Sequence, residues 1–261
     1  MFYFIQNDPE LPVQFIQNTR EWGLAKDEYT DNGNFPRQVY VREGRRFEGL
    51  YFFTAHDALP TNIGSRPPIH QQSITASHYA LDSHAVRKRE EERIHLDGFL
   101  SYPTAVYTVP FGVMVPKSID NLLLPVPVSG SHIGFSTLRM EPCWMAIGQA
   151  AGITASLSIQ DKVKVQNIDI SKLQDILINQ NATLIYYKDV KVGSDDFKMV
   201  QYMGLRGFLP DWKANLNDPI DKETFNAWVK LSGINWGNSI FEQTTRKEVL
   251  YKIYNYLTKI K

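Results

Sequence analysis

The stretch from residue 121 to 159, NLLLPVPVSGSHIGFSTLRMEPCWMAIGQAAGITASLSI, constrains the fold more than any other. The apolar run at 122–124 predicts a buried strand, and a polar, glycine-bearing loop follows over 129–137. Glu141-Pro142 then opens a helix rich in small residues. Proline is preorganised for the first helical position, and an acidic residue suits the positive end of the helix. Gly148, Gly152 and Ser156 recur every four residues along one face, with Ala151 and Ala155 beside them. Glycine weakens a helix interior, so its repeated use implies close approach of another backbone or of a ligand.

A chain of 261 residues with 43% apolar content can bury a real core in one large domain or two modest ones. Its 28 basic residues equal its 28 acidic ones, which leaves no electrostatic argument for nucleic acid or an anionic membrane as partner. No apolar run approaches transmembrane length. Cys143 is the only cysteine, so an internal disulfide and a cysteine-based metal site are excluded.

Residues 1–116 carry aromatic and β-branched runs broken by Pro, Gly and Asn, with strands predicted at 2–6, 38–42, 50–54 and 105–109. Residues 117–160 hold the strand, loop and helix. Helices are predicted beyond them at 172–179 (cap Asp169 or Ser171), 195–206 (stopped by Gly207), 222–231 (stopped by Gly233) and 245–260. Thr245 and Glu248 form a capping box for the last, and Leu250, Tyr254 and Leu257 give it an apolar stripe. The expected class is α+β, with a β-rich substrate-side domain (1–116), a strand-loop-helix (117–160) and an α-helical appendage (161–261).

The pattern of strand, Ser-Gly-Ser-His (129–132), Ser-Thr-Leu-Arg-Met-Glu-Pro (136–142) and Gly-Gln-Ala-Ala-Gly (148–152) resembles the C-terminal cofactor-binding stretch of a family of FAD-dependent oxidoreductases. PRQVYVREGRR (36–46), SITASHYALDSHAVRKR (73–89) and YTVPFGVMVP (107–116) extend the resemblance over roughly the first 160 residues. Some relatives are labelled xanthan lyase. The resemblance implies FAD as cofactor, with the helix N-terminus facing the flavin and stabilising negative charge on its ring. It also implies a cofactor-binding set of Ser129, Gly130, Ser131, His132, Arg139, Glu141, Gly148 and Gln149. Such flavoproteins begin with a G-x-G-x-x-G turn that holds the pyrophosphate. No two glycines of this chain are spaced G-x-G, and 31–36 (DNGNFP) is only a turn signature. The chain therefore resembles the C-terminal portion of a flavoprotein without its Gly-rich half. A fragment, a partner chain carrying that half and a degenerate descendant are the three alternatives. Residues 195–231 also resemble, faintly, one surface-layer homology repeat, and a plain helical cap is the preferred reading.

The catalytic candidates are His132, His78, His84 and Asp82. The last three alternate, and on one strand would share a face, where Asp82 would orient an imidazole as general base. A polar strand face with satisfied histidines is the alternative. Arg139 is expected to pair with Glu141 and fix the loop, or to bind an acidic group bidentately. Pro125-Val126 stands where many relatives carry Gly-Arg. Tyr40, Arg42, Arg45 and Arg46 form a basic, aromatic cluster, and 87–93 (RKREEER) reads as a solvated charge run. Tyr107 and Phe111 are core residues or flavin contacts. Cys143, in a first helical turn, would have its pKa lowered by the dipole, unless it is simply a buried small side chain. No metal is predicted, because spacing indicates no third ligand. The expected activity is oxidation of a small molecule or carbohydrate, a histidine taking the proton. A non-catalytic carbohydrate- or cell-surface-binding protein is the alternative, and a polysaccharide lyase a third.

Overall fold

The computed structural model describes residues 1–37, 43–87, 92, 98–234 and 244–259. The chain forms two compact units, Met1–Arg42 and Glu43–Lys261. The strand expected at 38–42 and most of the charge run at 87–93 lie outside the described residues, as do Tyr40 and Arg42.

The first unit holds α1 (Phe2–Asn7) and α2 (Val13–Arg20). The strand expected at 2–6 is therefore a helix. A short aromatic run fits either state, and the neighbouring backbone decides. Here Gln6 Nε2 donates to the Thr19 and Trp22 carbonyls at 2.8 and 2.9 Å, and Thr19 Oγ1 donates to the Ile5 carbonyl at 3.0 Å. The two helices are thus tied side to side, and neither contains a buried residue.

The second unit is mixed. Helix α3 (Ala55–Ala58) precedes β1 (Ser73–Ser77), β2 (Leu81–Ser83), β3 (Leu100–Tyr102) and β4 (Tyr107–Pro110). Helices α4 (His132–Leu138), α5 (Glu141–Asp161), α6 (Ile170–Asn179), α7 (Phe197–Leu205), α8 (Lys222–Ser232) and α9 (Arg246–Lys259) follow. Strand β1 pairs antiparallel with β4, Ser77 opposite Tyr107, and β2 pairs antiparallel with β3, Asp82 opposite Ser101. With 42% helix and 9% strand the chain is α+β. Among the described residues, the β content expected before residue 116 comes down to these four strands of three to five residues.

The runs at 50–54 and 122–124 form no strands. Phe53 makes an isolated bridge to Gly130, and Leu124 N–H donates once, to the Met114 carbonyl at 2.9 Å. These segments cross at close backbone contact instead of running alongside a partner. A Cβ on Gly49 would lie 2.6 Å from the Gly112 carbonyl oxygen, and one on Gly112 would lie 2.7 Å from Tyr51 N. Glycine is what lets the crossing happen.

Helix α5 buries Cys143, Ile147, Ala150, Ala151, Thr154 and Leu157, and packs on β1 and α6. Its opposite face is open: Met145 is 72% and Ile159 77% exposed, and Gly152 and Ser156 between them are exposed too. No described atom lies within 4 Å of a Cβ added at Gly148 or Gly152. The close approach that these glycines imply is not made by the described residues.

The later helices follow their caps. Asp169 accepts from Ser171 and Lys172 N–H at the start of α6, and Asp221 accepts from Thr224 N–H at the start of α8. Gly207 and Gly233 take φ of 84° and 66° just past α7 and α8. Thr245 and Glu248 exchange the expected reciprocal bonds at α9, with Thr245 N–H to Glu248 Oε2 at 2.8 Å and Glu248 N–H to Thr245 Oγ1 at 3.3 Å. These helices are stitched to the sheet. Ala76 N–H donates to the Thr183 carbonyl at 2.8 Å, and Ser73 Oγ donates to the Leu184 carbonyl at 2.8 Å. Gln174 Nε2 reaches the Gln71 and Ser73 carbonyls at 2.8 and 3.0 Å. Residues 116 and 160, where the sequence changes character, both lie inside the second unit.

Candidate functional site

The loop before α4 is held from below. Ser129 is fully buried, and its Oγ accepts Gly49 N–H at 3.0 Å. Ser131 caps α4, its Oγ accepting Gly134 N–H at 2.9 Å, which satisfies one of the free donors of the first turn. Gly134 brings α4 onto residues 53–54, where a Cβ would lie 2.4 Å from the Phe53 oxygen. His132 Nε2 sits 3.0 Å from the His84 carbonyl and 3.7 Å from Glu43 Oε2. A carbonyl only accepts, so Nε2 carries the proton there. Glu43 Oε1 in turn accepts His84 N–H at 3.1 Å. Glu43 thus joins two predicted histidines, and sequence reading passed over it. The available signal was a lone acid inside the basic run VREGRR. Gly44, Arg45, Arg46, Gly130, Ser131 and His132 line a cleft of about 490 Å³ beside it. Arg46 Nε donates to the Gly130 carbonyl at 3.1 Å while its guanidinium lies 5.2 Å from the Phe135 ring centre.

The buried Arg139 pairs with the half-buried Asp82. Arg139 is 1% exposed, and its Nη2 lies 2.5 Å from Asp82 Oδ2 and 3.2 Å from the Asp82 carbonyl. Tyr79 OH donates to the same carboxylate at 3.2 Å, and the Tyr79 ring lies 5.5 Å from the guanidinium. Two expectations are corrected. Arg139 pairs with Asp82 and not with Glu141, because it ends α4, and α4 packs on β2. Asp82 orients no imidazole among the described residues: its Oδ2 receives Arg139 and Tyr79, while His78 and His132 bond to backbone carbonyls and His84 Nε2 has no partner. His78, Asp82 and His84 do not share one strand face either, since the chain leaves β1 at Ser77 and enters β2 only at Leu81. His84 Nε2 is buried without a hydrogen-bond partner. His78 Nε2 donates to the Thr104 carbonyl at 3.1 Å, which leaves Nδ1 as the nitrogen able to accept a proton.

The first turn of α5 adds a second cleft of about 300 Å³, lined by Ser77, His78, Tyr79, Met140, Pro142 and Cys143. Burial pushes the Cys143 thiol up to about 11, the reverse of the expected lowering. Desolvation outweighs the helix dipole here, and Cys143 is a buried apolar side chain. Glu141 lies in the first turn, and Gln149 Nε2 donates to Gln180 Oε1 at 2.8 Å on the exposed side. Tyr107 and Phe111 are core residues, with Tyr107 OH bonded to the Thr137 carbonyl at 2.9 Å. Arg139 Nε and Trp144 Nε1 are buried donors with no acceptor.

The profile of a family described as FAD dependent oxidoreductase matches residues 1–177. The chain belongs to this family. No curated protein and no solved structure matches it. As a member of the FAD dependent oxidoreductases, its cofactor is FAD. The site fits such a group. A dinucleotide offers a pyrophosphate and ring carbonyls, all acceptors; the cleft carries Arg45 and Arg46, cations suited to a pyrophosphate, and elsewhere the described residues keep buried donors without acceptors at Arg139 Nε and Trp144 Nε1. Among the described residues no group of three or more His, Cys, Asp or Glu has the geometry to hold a metal ion.

A further polar cluster in this oxidoreductase escaped sequence reading. Tyr51 OH donates to Asp57 Oδ1 at 2.5 Å, and His70 Nε2 lies 3.2 Å from the same oxygen. Asp57 Oδ2 accepts Thr54 N–H and Oγ1 at 2.7 and 3.0 Å as the capping box of α3. Only the Thr54-x-x-Asp57 spacing was legible. Burial pushes the Asp57 carboxyl up, but His70, Tyr51 and Thr54 outweigh it and hold the group at about 2. A depressed folded-state value stabilises the fold above the unfolded pKa of about 3.9, and this contribution is lost as pH falls through the folded value. Denaturant midpoints should therefore drop between about pH 5 and pH 2, and Asp57→Asn should flatten that slope. An unchanged slope in Asp57→Asn would show that the cluster does not set acid stability.

Proposed function

We propose that this chain supplies the flavin-facing part of a FAD-dependent oxidoreductase, and that the Gly-rich dinucleotide-binding half is supplied from outside residues 1–261, as by a partner chain. The observation that carries this is α5. Its exposed Met145–Gly152–Ile159 side offers small residues and apolar surface, open at Gly148 and Gly152, and the same helix carries Trp144 Nε1, a buried donor that lacks an acceptor. A face built of glycine suits the close approach of another backbone.

On this reading the cleft of Gly44–Arg46 and Gly130–His132 and the first turn of α5 hold the FAD, which supplies the two-electron chemistry. Ser131 and Gly134 fix the loop, and Arg139 holds β2 against α4. His132, with Glu43 beside it, orients the loop at the cleft. His78 takes the substrate proton at Nδ1. The substrate is a small molecule or carbohydrate. A non-catalytic carbohydrate-binding protein is the second reading, favoured by an aromatic-lined cavity to which α5 contributes no residue.

The test is flavin absorbance after incubation with FAD and removal of the free cofactor, for the chain alone and together with a separate chain carrying a Gly-rich dinucleotide-binding half. Stoichiometric flavin is expected with that partner, and Gly152→Leu should abolish it without lowering the stability of the isolated chain. Failure to retain flavin in either state would sink the oxidoreductase reading in favour of the binding protein.

A further inference from the structure

A second cavity shares no lining residue with the cleft of Gly44–Arg46. It encloses about 620 Å³, within the usual range for a small-molecule site. One wall is the loop 59–65, another is Tyr102–Pro103 at the end of β3, and the third comes from the C-terminal part of the chain through Tyr186, Lys188 and Trp212.

Three features specify what would bind. The first is aromatic surface. Tyr102 and Tyr186 are exposed where they line the cavity, and Trp212 joins them. The second is rigidity. Trp212 Nε1 donates to the Gly64 carbonyl at 3.0 Å, and the Arg66 guanidinium lies 4.4 Å from the Trp212 ring and 4.5 Å from the Tyr187 ring. Arg66 Nε also donates to the Asp211 carbonyl at 2.9 Å. The two walls are therefore locked together before any ligand arrives, which lowers the ordering cost of binding. The third feature is charge. Lys188 is the single cation of the lining, which contains no carboxylate. Its Nζ lies 5.5 Å from the Trp212 ring centre, and among the described residues no carboxylate pairs with it.

We propose that this cavity binds a ring-bearing organic carboxylate, its ring stacked on the tyrosine and tryptophan side chains and its carboxylate paired with Lys188. A neutral ring would leave the ammonium without a counter-charge. A polyphosphate would demand more than one cation, or a helix N-terminus, and the lining offers neither. Stacking on an aromatic platform suits both a sugar acid and an aromatic acid, and the shared chemistry is a planar or chair-shaped ring with one negative charge.

His78 ties this cavity to the oxidoreductase site. It lines both the 620 Å³ cavity and the 300 Å³ cleft at the first turn of α5. The carboxylate is thereby assigned as the substrate class. That assignment rests on the oxidoreductase reading; binding in the cavity does not.

The test is calorimetric titration of the 261-residue chain with glucuronate, benzoate, glucose and benzyl alcohol. At least one acid should bind about tenfold or more tighter than its neutral counterpart. Lys188→Ala should erase that preference, and Lys188→Arg should keep most of it. Tyr186→Ala should weaken the acid about tenfold and, being exposed, should leave the unfolding midpoint in place. Preference for glucuronate identifies a sugar acid, and preference for benzoate an aromatic one; either supports the proposal. Equal binding of acid and neutral ligand, or acid binding unchanged in Lys188→Ala, overturns it, as does the absence of any acid binding. Flavin retention by the unaltered chain, alone and together with a chain carrying the Gly-rich half, is read separately. Acid binding without flavin would leave the cavity standing and remove the oxidoreductase, and flavin without acid binding would do the opposite.

Discussion

Gly134→Ala will cost the second unit about 3 kcal/mol, seen as a lower urea midpoint, or will prevent folding outright. The new Cβ would lie 2.4 Å from the Phe53 oxygen, 2.8 Å from Thr54 Cα and 2.9 Å from the Phe53 carbonyl carbon. All three are backbone atoms, so no side chain can swing away. Helix α4 would have to lift, and with it would go the Ser131 cap and the His132 contact to the His84 carbonyl. Gly148→Ala is the matched control. Nothing stands within 4 Å of its added Cβ, so the isolated chain should be stabilised by about 0.5–1 kcal/mol through helix propensity alone. Equal midpoints for the two variants would mean that α4 does not rest on residues 53–54.

Asp82→Ala should lose about 3–5 kcal/mol, more than Arg139→Met. The asymmetry follows from burial. Without the Asp82 carboxylate, the Arg139 guanidinium is left charged at 1% exposure against the residue 82 carbonyl, the Met140 sulfur and the Tyr79 ring. Without Arg139, the Asp82 carboxylate is still 26% exposed, and water can reach it. Urea unfolding of the two single variants and the double variant measures this directly. The double variant should be more stable than the sum of the single losses implies, because removing both charges leaves neither unpaired. Equal losses in both single variants would show that the pair is solvated.

The helical half of the fold was legible because its signals are local. Asp169 and Asp221 cap within three residues, Thr245 and Glu248 answer each other, and Gly207 and Gly233 stop their helices at positive φ. The strands misled for the opposite reason. Aromatic and β-branched runs at 2–6 and 50–54 have strand composition, yet a strand also needs a partner, and the partner lies elsewhere in the chain. In the site, alternation suggested one face for His78, Asp82 and His84. Asp82 found its partner 57 residues away instead, on a helix that spacing could not place beside it. Glu43, which reaches across to both His84 and His132, was invisible for the same reason. For the lone cysteine the sequence left open a dipole-lowered thiol and a buried small side chain, and its burial decides for the second.

The family match ends at residue 177, within α6, but β1 takes a hydrogen bond on its flank from beyond that point, where Thr183 accepts from Ala76 N–H. The stretch that relatives share is thus shorter than the stretch that must fold together. A chimera joined at residue 177 would inherit a recognisable sequence with a bare strand flank, and a domain swap between relatives should instead be cut beyond the turn that delivers Thr183 and Leu184. The last third of this chain is consequently coupled to the sheet through residues 71–76.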